Sequence, residues 1–229
     1  MDNPPNLIDV WKISIPKLYG DESYYFSLLS DQEKTRAHAF VTKELMRKYV
    51  VTQGVLRHIL ASYISTDPKA IQFTFGSHRK PYVANAMQLQ FNMTHSHDLA
   101  LIGISFVDEV GIDIEMCDPK IVEKHLEVSV FSENELKAYA QVPMGSKTEA
   151  FIAAWTHKEA LVKLAGKGLY KELKEVEVPL HVLHETSPVK YEDSKRYLKS
   201  FLLDEGYIGA VASTKPNFEL RVQDYIGRH

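Results

Sequence analysis

The sequence predicts an α+β fold made of two similar halves, residues 1–109 and 110–229. Each half contains a long stripe of apolar residues at helical spacing, together with a block of short, apolar, strand-like segments. These elements occur in blocks rather than in strict strand–helix alternation, which favours an α+β over an α/β architecture. LIGIS at 101–105 and YIGAVAS at 207–213 resemble each other, and this short echo hints at a repeated unit.

The first half should begin with a strand at residues 7–13, followed by a helical region from about residue 22. Ser30 and Glu33 have the spacing of a capping box, so a second helix should start directly after Ser30. A stripe of about six turns predicts the long helix of this half over residues 42–64. Strands are then expected at 71–75, 89–93 and 99–106.

The second half should begin with the strand VGIDIE at 110–115. Ser146 and Glu149 again have capping-box spacing, which predicts a helix over 147–165 that Gly166 terminates. Further strands are expected at 175–182, 197–203 and 207–213.

Composition excludes several classes of function. Lys and Arg number 27 against 30 Asp and Glu, so there is no overall basic field to hold nucleic acid. A single cysteine rules out an internal disulfide and a cysteine-rich zinc site. No apolar run approaches the roughly 20 residues of a membrane span, and no export signal is visible at the start. We therefore expect a soluble, monomeric, cytoplasmic protein without a nucleic-acid or membrane partner.

Two acidic residues share one face of a predicted strand. Asp113 and Glu115 alternate with Val110, Ile112 and Ile114, so both carboxylates project to the same side. Two close carboxylates repel each other unless a cation or proton intervenes, which makes them a natural Mg²⁺ site. The alternative is the solvated polar face of a half-exposed strand.

The helix predicted at 147–165 carries a second acidic group. Glu159 lies at the edge of the apolar stripe that includes Trp155, with Lys163 one turn further on. The pair is either a surface ion pair or a carboxylate and ammonium poised for proton transfer. Lys158, on the opposite flank of the stripe, is expected to extend its charge to solvent.

Several cations lie outside this helix. His95 is predicted in a loop between two strands, where it either donates to a phosphate or faces solvent. His95 and His97 lack an obvious third ligand for zinc. Lys80 supplies a cation in a loop at 77–81. A modest basic group on the early helices, which is equally a solvated face, comprises Arg36, Lys43, Arg47 and Lys48.

Five blocks of sequence together resemble the Sfp-type 4′-phosphopantetheinyl transferases. VGIDIE at 110–115, FSENEL at 131–136 and WTHKEALVKLAGKGL at 155–169 resemble the signature blocks of that family. HRKP at 78–81 is similar to its GKP loop, and FNMTHS at 91–96 to its FNxSHS loop. The blocks occur in family order and cover the chain from about residue 30 to 169.

The resemblance implies a fold of two halves related by pseudo-twofold symmetry. It also implies transfer of the phosphopantetheine arm of coenzyme A to a serine of an apo acyl or peptidyl carrier protein, dependent on Mg²⁺, with release of adenosine 3′,5′-bisphosphate. Asp113, Glu115 and Glu159 would then bind the metal, Glu159 would also act as the base, and Lys163 would stabilise the leaving group. The implied coenzyme A contacts are Arg36, Lys48, Lys80, Thr94, His95 and Lys158.

This chain departs from the family pattern in three places. Thr94 replaces a common serine but keeps the hydroxyl, Arg79 stands where the pattern has glycine, and Glu33 lies near a position that can be basic. Ser132 and Glu135 within FSENEL have capping-box spacing, so Glu135 is interpreted as structural.

Two other classes of function compete with this interpretation. One is a non-catalytic module that binds coenzyme A or a carrier protein, against which Glu159 and Lys163 argue. The other is a different Mg²⁺-dependent phosphotransferase or hydrolase acting on a nucleotide, but the sequence has no glycine-rich phosphate loop of the P-loop type.

Overall fold

The structure is a computed structural model that describes residues 6–76, 78–86, 88–166, 173–203 and 206–227. Ser77, in the loop at 77–81, and residues 167–169, in the block at 155–169, lie outside the described residues. The helices are α1 (Glu22–Leu28), α2 (Asp31–His38), α3 (Lys43–Ile64), α4 (Lys120–Glu123), α5 (Glu127–Val130), α6 (Glu133–Ala140) and α7 (Lys147–Ala165). None of the helices in these ranges has the length and apolar character needed to cross a membrane.

Within these ranges the strands form two four-stranded sheets and a small hairpin. They are β1 (Leu7–Ser14), β2 (Phe73–Phe75), β3 (Pro81–Val83), β4 (Gln90–Ser96), β5 (Leu99–Ser105), β6 (Val110–Met116), β7 (Ser187–Tyr191), β8 (Ser194–Leu203), β9 (Tyr207–Ser213) and β10 (Glu219–Asp224). The first sheet has the order β10-β1-β5-β4 and the second β6-β9-β8-β7, while β2 pairs with β3. All pairs are antiparallel except β1 with β10, which is parallel.

Three apolar cores hold these elements in layers. Because strand side chains alternate between faces, β1 sends Ile13 towards α3 and sends Ile8 and Val10 towards the second sheet. The second face of that sheet packs on α7 through residues such as Ala210 of β9. The layers therefore run α3, first sheet, second sheet, α7, which confirms the predicted α+β fold with two sheet-rich halves.

The predicted boundary between residues 109 and 110 falls in the connection between β5 and β6, and the division into two halves remains a prediction. The chain does not keep the two sheets separate, since β10 comes from the second predicted half and completes the first sheet.

Capping residues in the sequence correctly marked the starts of several helices. Ser30 and Glu33 form both hydrogen bonds of a capping box at the start of α2, and Ser132 and Glu135 do so at α6. Thr42 caps α3 by accepting from the backbone of Leu45. These side chains satisfy N–H groups that a helix start leaves unpaired.

Two local predictions were wrong. Ser146 makes no side-chain cap at α7, because it ends a short 3₁₀ turn (Met144–Ser146) and lacks the extended backbone of a capping residue. Residues 175–182 form no strand. Side chains of α6 and α7 bind this segment's backbone, with Glu135 accepting from Val178 and His157 bonded to the carbonyl of Pro179.

Helix α7 lies unusually close to β6 because residue 111 is glycine. A Cβ on Gly111 would collide with the carbonyl oxygen of Ala160 and the backbone nitrogen of Leu164. The glycine of VGIDIE thus sets the distance between the acidic strand and the helix of Glu159.

We expect Gly111→Ala to lower the free energy of unfolding by about 2 kcal/mol or more, because backbone atoms cannot move aside as a flexible side chain would. Denaturant unfolding measures the change. Gly145→Ala is the matched control, since its Cβ would meet nothing within 4 Å. Equal stability of the two variants would contradict the close-packing explanation.

Candidate functional site

The site lies where β4, at the edge of the first sheet, packs against β6, at the edge of the second. Alternate polar side chains of β4 bond to β6: the Asn92 Oδ1 accepts from the backbone N–H of Ile112 at 3.0 Å. The Thr94 hydroxyl donates to Asp113 Oδ1 at 2.9 Å, and the Ser96 hydroxyl donates to a Glu115 carboxylate oxygen at 2.7 Å. These three β4 residues, the polar ladder, join β4 to β6, and Thr94 and Ser96 also orient the two predicted acids.

Helix α7 places two more charged groups beside the ladder. Lys163 Nζ lies 2.5 Å from Asp113 Oδ1 and 3.1 Å from the Thr94 hydroxyl. A cavity of about 340 Å³, the acidic cavity, opens here and is lined by Met93, Thr94, His95, Asp113, Glu115, Trp155, Glu159 and Lys163. Six of these eight were predicted as site residues, and the structure brings them together.

Burial shifts the acids towards their protonated forms. It raises the pKa of Asp113, although the neighbouring Lys163 opposes the shift. Burial, reinforced by repulsion from Asp113, raises the pKa of Glu159 from 4.5 to about 7. Burial also raises the pKa of Glu115, while the hydrogen bond from Ser96 acts in the opposite direction. Glu159 therefore exchanges its proton near neutral pH.

Two buried carboxylate oxygens lack a hydrogen-bond partner within the part of the chain that the structure describes, and both belong to this cavity. They are Asp113 Oδ2 and Glu159 Oε1. Unsatisfied buried polar atoms are rare and often mark a position that a ligand or ion completes. Oxygen donors of this kind suit a hard cation such as Mg²⁺. Among the described residues, however, no group of three or more His, Cys, Asp or Glu is arranged to hold a metal.

His95 lies within β4 rather than in the predicted loop. Its ring lines the acidic cavity. Desolvation, reinforced by the positive charges of Lys163 and Lys48, lowers the pKa of His95 below its usual value and so favours the neutral ring. A neutral imidazole still offers one N–H donor to an anionic ligand.

Lys158 does not extend its charge to solvent, so that prediction was wrong. Its side chain is fully buried, and its ammonium lies 2.7 Å from Glu135 and 2.9 Å from the carbonyl oxygen of Leu173. Burial lowers the pKa of Lys158, although the ion pair with Glu135 opposes the shift. Lys158 is not among the residues that line the acidic cavity.

Lys80, predicted as a loop cation, is also buried. Its ammonium donates to the carbonyl oxygen of Leu164 at 3.0 Å and is 3.4 Å from that of Val110. The positive charge therefore caps the C-terminal end of α7, where it complements the helix dipole.

The remaining predicted cations are not among the residues that line the acidic cavity. Lys48 forms ion pairs with Glu44 and Asp98, at 3.3 and 3.2 Å. Arg36 lines a second cavity of about 260 Å³, the aromatic cavity, together with Tyr49, Phe73 and Phe91. The structure thus separates the predicted site into an acidic part and an aromatic part.

Sequence reasoning missed two members of the polar ladder. Asn92 and Ser96 alternate with Thr94 in FNMTHS, and this spacing of two, once assigned to a strand, would have placed all three on one face. Trp155, which was treated only as packing, also lines the acidic cavity.

Comparison with known proteins gives matches along most of the chain. Residues 109–212 match the family model of the 4′-phosphopantetheinyl transferase superfamily, and residues 19–105 match one described as 4′-phosphopantetheinyl transferase, N-terminal. The chain is 29% identical to the 4′-phosphopantetheinyl transferase HetI of Nostoc sp. over 222 residues, which cover 93% of this chain and 92% of that protein.

Two further relatives carry the same description. The chain is 26% identical to the 4′-phosphopantetheinyl transferase Sfp of Bacillus subtilis over 196 residues, which cover 85% of this chain and 86% of that protein. It is 36% identical to the 4′-phosphopantetheinyl transferase AcpT of Escherichia coli over 110 residues, 48% of this chain and 55% of that protein.

The raised pKa of Glu159 predicts a pH-dependent cost in stability. A carboxyl group that binds its proton more tightly when folded makes the protein less stable as pH rises from 4.5 through about 7. In metal-free buffer, Glu159→Gln should therefore be more stable than the wild type at pH 8 by about 1 to 3 kcal/mol, and nearly equal at pH 4.5.

Denaturant unfolding at both pH values, with a chelator present, measures this difference. Glu149→Gln, an exposed position on the same helix, is the control and should show no such dependence. A constant difference between Glu159→Gln and the wild type across this range would contradict the assigned shift.

The burial of Lys158 predicts that its main contribution is to folding. Lys158→Met leaves the Glu135 charge uncompensated, which should cost about 3 to 5 kcal/mol of unfolding free energy. The double variant Lys158→Met/Glu135→Gln should recover much of this loss. If Lys158→Met instead kept full stability and bound coenzyme A more than tenfold more weakly, Lys158 would be a ligand contact.

Proposed function

Because the chain belongs to the 4′-phosphopantetheinyl transferase superfamily, we propose that it transfers the phosphopantetheine arm of coenzyme A to a serine of an apo acyl or peptidyl carrier protein. The observation that carries the proposal is the acidic cavity, where Glu159 and its unpartnered oxygen lie beside the Asp113–Lys163 pair. The serine oxygen forms a bond to the β-phosphorus, and the bond from that phosphorus to adenosine 3′,5′-bisphosphate breaks.

Glu159 accepts the proton of the attacking serine. A general base is most effective when its pKa lies near the working pH, and the pKa of Glu159 is about 7. Glu159 lines the acidic cavity, and its Oε1 is buried without a hydrogen-bond partner among the described residues, which supports a role as an acceptor.

Asp113 and Glu115, with Glu159, would hold Mg²⁺. The unpartnered oxygens of Asp113 and Glu159 support this assignment, as does the purely oxygen-based donor set. When bound, the ion would neutralise charge on the pyrophosphate of coenzyme A. Thr94 and Ser96 keep the two strand carboxylates oriented by donating to them.

Lys163 stabilises the departing bisphosphate. Its side chain is partly exposed and lines the acidic cavity, with its ammonium 2.5 Å from Asp113 Oδ1. A cation aimed at a position where negative charge accumulates lowers the barrier more than it strengthens substrate binding.

The other proposed contacts with coenzyme A divide by location. Thr94 and His95 line the acidic cavity, and Arg36 lines the aromatic cavity, which supports direct contact. Lys48 would have to exchange a carboxylate partner for a phosphate. We assign Lys80 and Lys158 an indirect role, which is to position α7. We further propose that the protein acts as a cytoplasmic monomer.

Mass spectrometry of a panel of apo carrier proteins, incubated with coenzyme A and Mg²⁺, tests the reaction. One or more carriers should gain the phosphopantetheine mass at a single serine. A wild-type protein that binds coenzyme A but modifies no carrier would favour the non-catalytic binding module.

In the same assay, Glu159→Gln should lose about 10² to 10⁴ in turnover, the usual contribution of a positioned base. Its affinity for coenzyme A should change only a few-fold, because the amide keeps the shape and one acceptor oxygen. Glu149→Gln should match the wild type. A loss of less than about tenfold in Glu159→Gln would show that another group takes the proton.

A further inference from the structure

A third cavity, the tail cavity, lies between α3, β1 and the end of the chain around Tyr225, which follows β10. Its volume is about 440 Å³, which is within the usual range for a small-molecule site. It borders the β10 edge of the first sheet, whereas the acidic cavity borders the opposite edge, β4. No described residue of its wall also lines the acidic or the aromatic cavity. The tail cavity is therefore separate from the site proposed for the reaction.

Aromatic rings form one corner of the tail cavity. The backbone N–H of Tyr225 donates to the carbonyl oxygen of Lys12 at 2.8 Å, which holds Tyr225 beside β1. The Tyr225 ring meets Trp11 edge to face at 6.4 Å between centroids, and meets His58 of α3 at 5.8 Å. Ile59, which is buried, adds an apolar side chain to the wall. Surfaces of this kind stabilise an aromatic ligand by stacked or edge-to-face contacts.

A chain of hydroxyl groups fixes the position of the proton on the His58 ring. The Tyr25 hydroxyl donates to that of Tyr225 at 3.4 Å, so the Tyr225 hydroxyl keeps its own proton for His58 Nδ1, 2.5 Å away. Burial lowers the pKa of His58, which favours the neutral ring. A neutral imidazole that accepts at Nδ1 carries its proton on Nε2. His58 Nε2 is therefore an N–H donor, and the described part of the chain gives it no hydrogen-bond partner.

The other polar groups of the wall are also uncharged or compensated. The Ser62 hydroxyl donates its proton to the carbonyl oxygen of Ile59 at 2.7 Å, so its oxygen can only accept from a ligand. The amide of Gln223 offers both a donor and an acceptor. Among the described residues of the wall, the one carboxylate is that of Asp224, which pairs with Lys12 at 3.2 Å. The wall thus presents neutral hydrogen-bonding groups beside aromatic rings.

We infer that the tail cavity binds a small, neutral aromatic amide. The ligand ring would pack against Trp11 and Tyr225, its carbonyl oxygen would accept from His58 Nε2, and its N–H would donate to Ser62 or Gln223. A carboxylate of the same shape would fit less well, because a buried charge without a partner is costly. This inference does not depend on the proposed function.

NMR titration with benzamide as the probe tests the inference. Trp11 of the tail cavity and Trp155 of the acidic cavity are the two tryptophans of the chain, so each indole N–H reports on one cavity. The Trp155→Phe variant assigns the two signals. In the wild type, benzamide should shift the Trp11 signal until it saturates and leave the Trp155 signal unchanged.

Two further probes test the chemical class of the ligand. Benzoate keeps the ring but carries a charge, and cyclohexanecarboxamide keeps the amide without a planar ring. Each should bind at least about tenfold more weakly than benzamide. All three compounds are compared on the wild type, so this result does not depend on the folding of a variant.

His58→Phe keeps a ring in the wall and removes the Nε2 donor. It should weaken benzamide binding about fivefold or more, the usual effect of losing one hydrogen bond to a ligand. Benzamide should raise the melting temperature of the wild type more than that of His58→Phe, because a ligand stabilises the fold in proportion to its occupancy. His184→Phe, at an exposed histidine outside all three cavities, is the matched control and should bind as the wild type does.

The inference is overturned if benzamide gives no saturable shift of the Trp11 signal, or shifts both indole signals equally. Equal affinity for the three compounds, or normal benzamide binding by His58→Phe, also overturns it. Transfer to a carrier protein by His58→Phe should stay within about twofold of the wild type, so the two proposals fail separately.

Discussion

The site depends on the polar ladder of β4, which joins the edges of two sheets through side chains. Each edge strand has backbone groups without a partner in its own sheet, and Asn92 and Ser96 accept from two such N–H groups on β6. The same strand turns Thr94 towards Asp113. The alternating polar residues of β4 thus join the two sheets, and two of them also orient Asp113 and Glu115. The same set of hydrogen bonds therefore stabilises the contact between the sheets and the geometry of the site.

The two buried carboxylates of the acidic cavity differ in the positive charge beside them. Lys163 forms an ion pair with Asp113, and each of Asp113 and Glu159 has one buried oxygen without a hydrogen-bond partner among the described residues. The close approach of α7 at Gly111 makes this possible by placing helix side chains within contact distance of strand side chains.

The sequence predicted what depends on local pattern. The helices α2, α3 and α6 follow from capping residues and helical spacing, and Asp113 and Glu115 share a face because they alternate in a strand. It failed where distant segments compete for the same backbone: the expected strand at 175–182 gives its hydrogen bonds to Glu135 and to His157. The sequence also did not reveal the environment of charged residues. Whether a lysine such as Lys80 faces solvent or a helix end is decided by tertiary contacts.

The parallel pairing of β10 with β1 has a consequence for the order in which the chain folds. Arg221 of β10 forms two hydrogen bonds to the buried carboxylate of Asp9, 212 positions earlier in the chain. During synthesis, β1 leaves the ribosome long before β10 has been made. Until then, the edge of β1 lacks its pairing strand and Asp9 lacks its ion-pair partner Arg221. The first sheet therefore contains both the first and the last strand of the chain. It can be completed only after the strands of the second sheet have been synthesised.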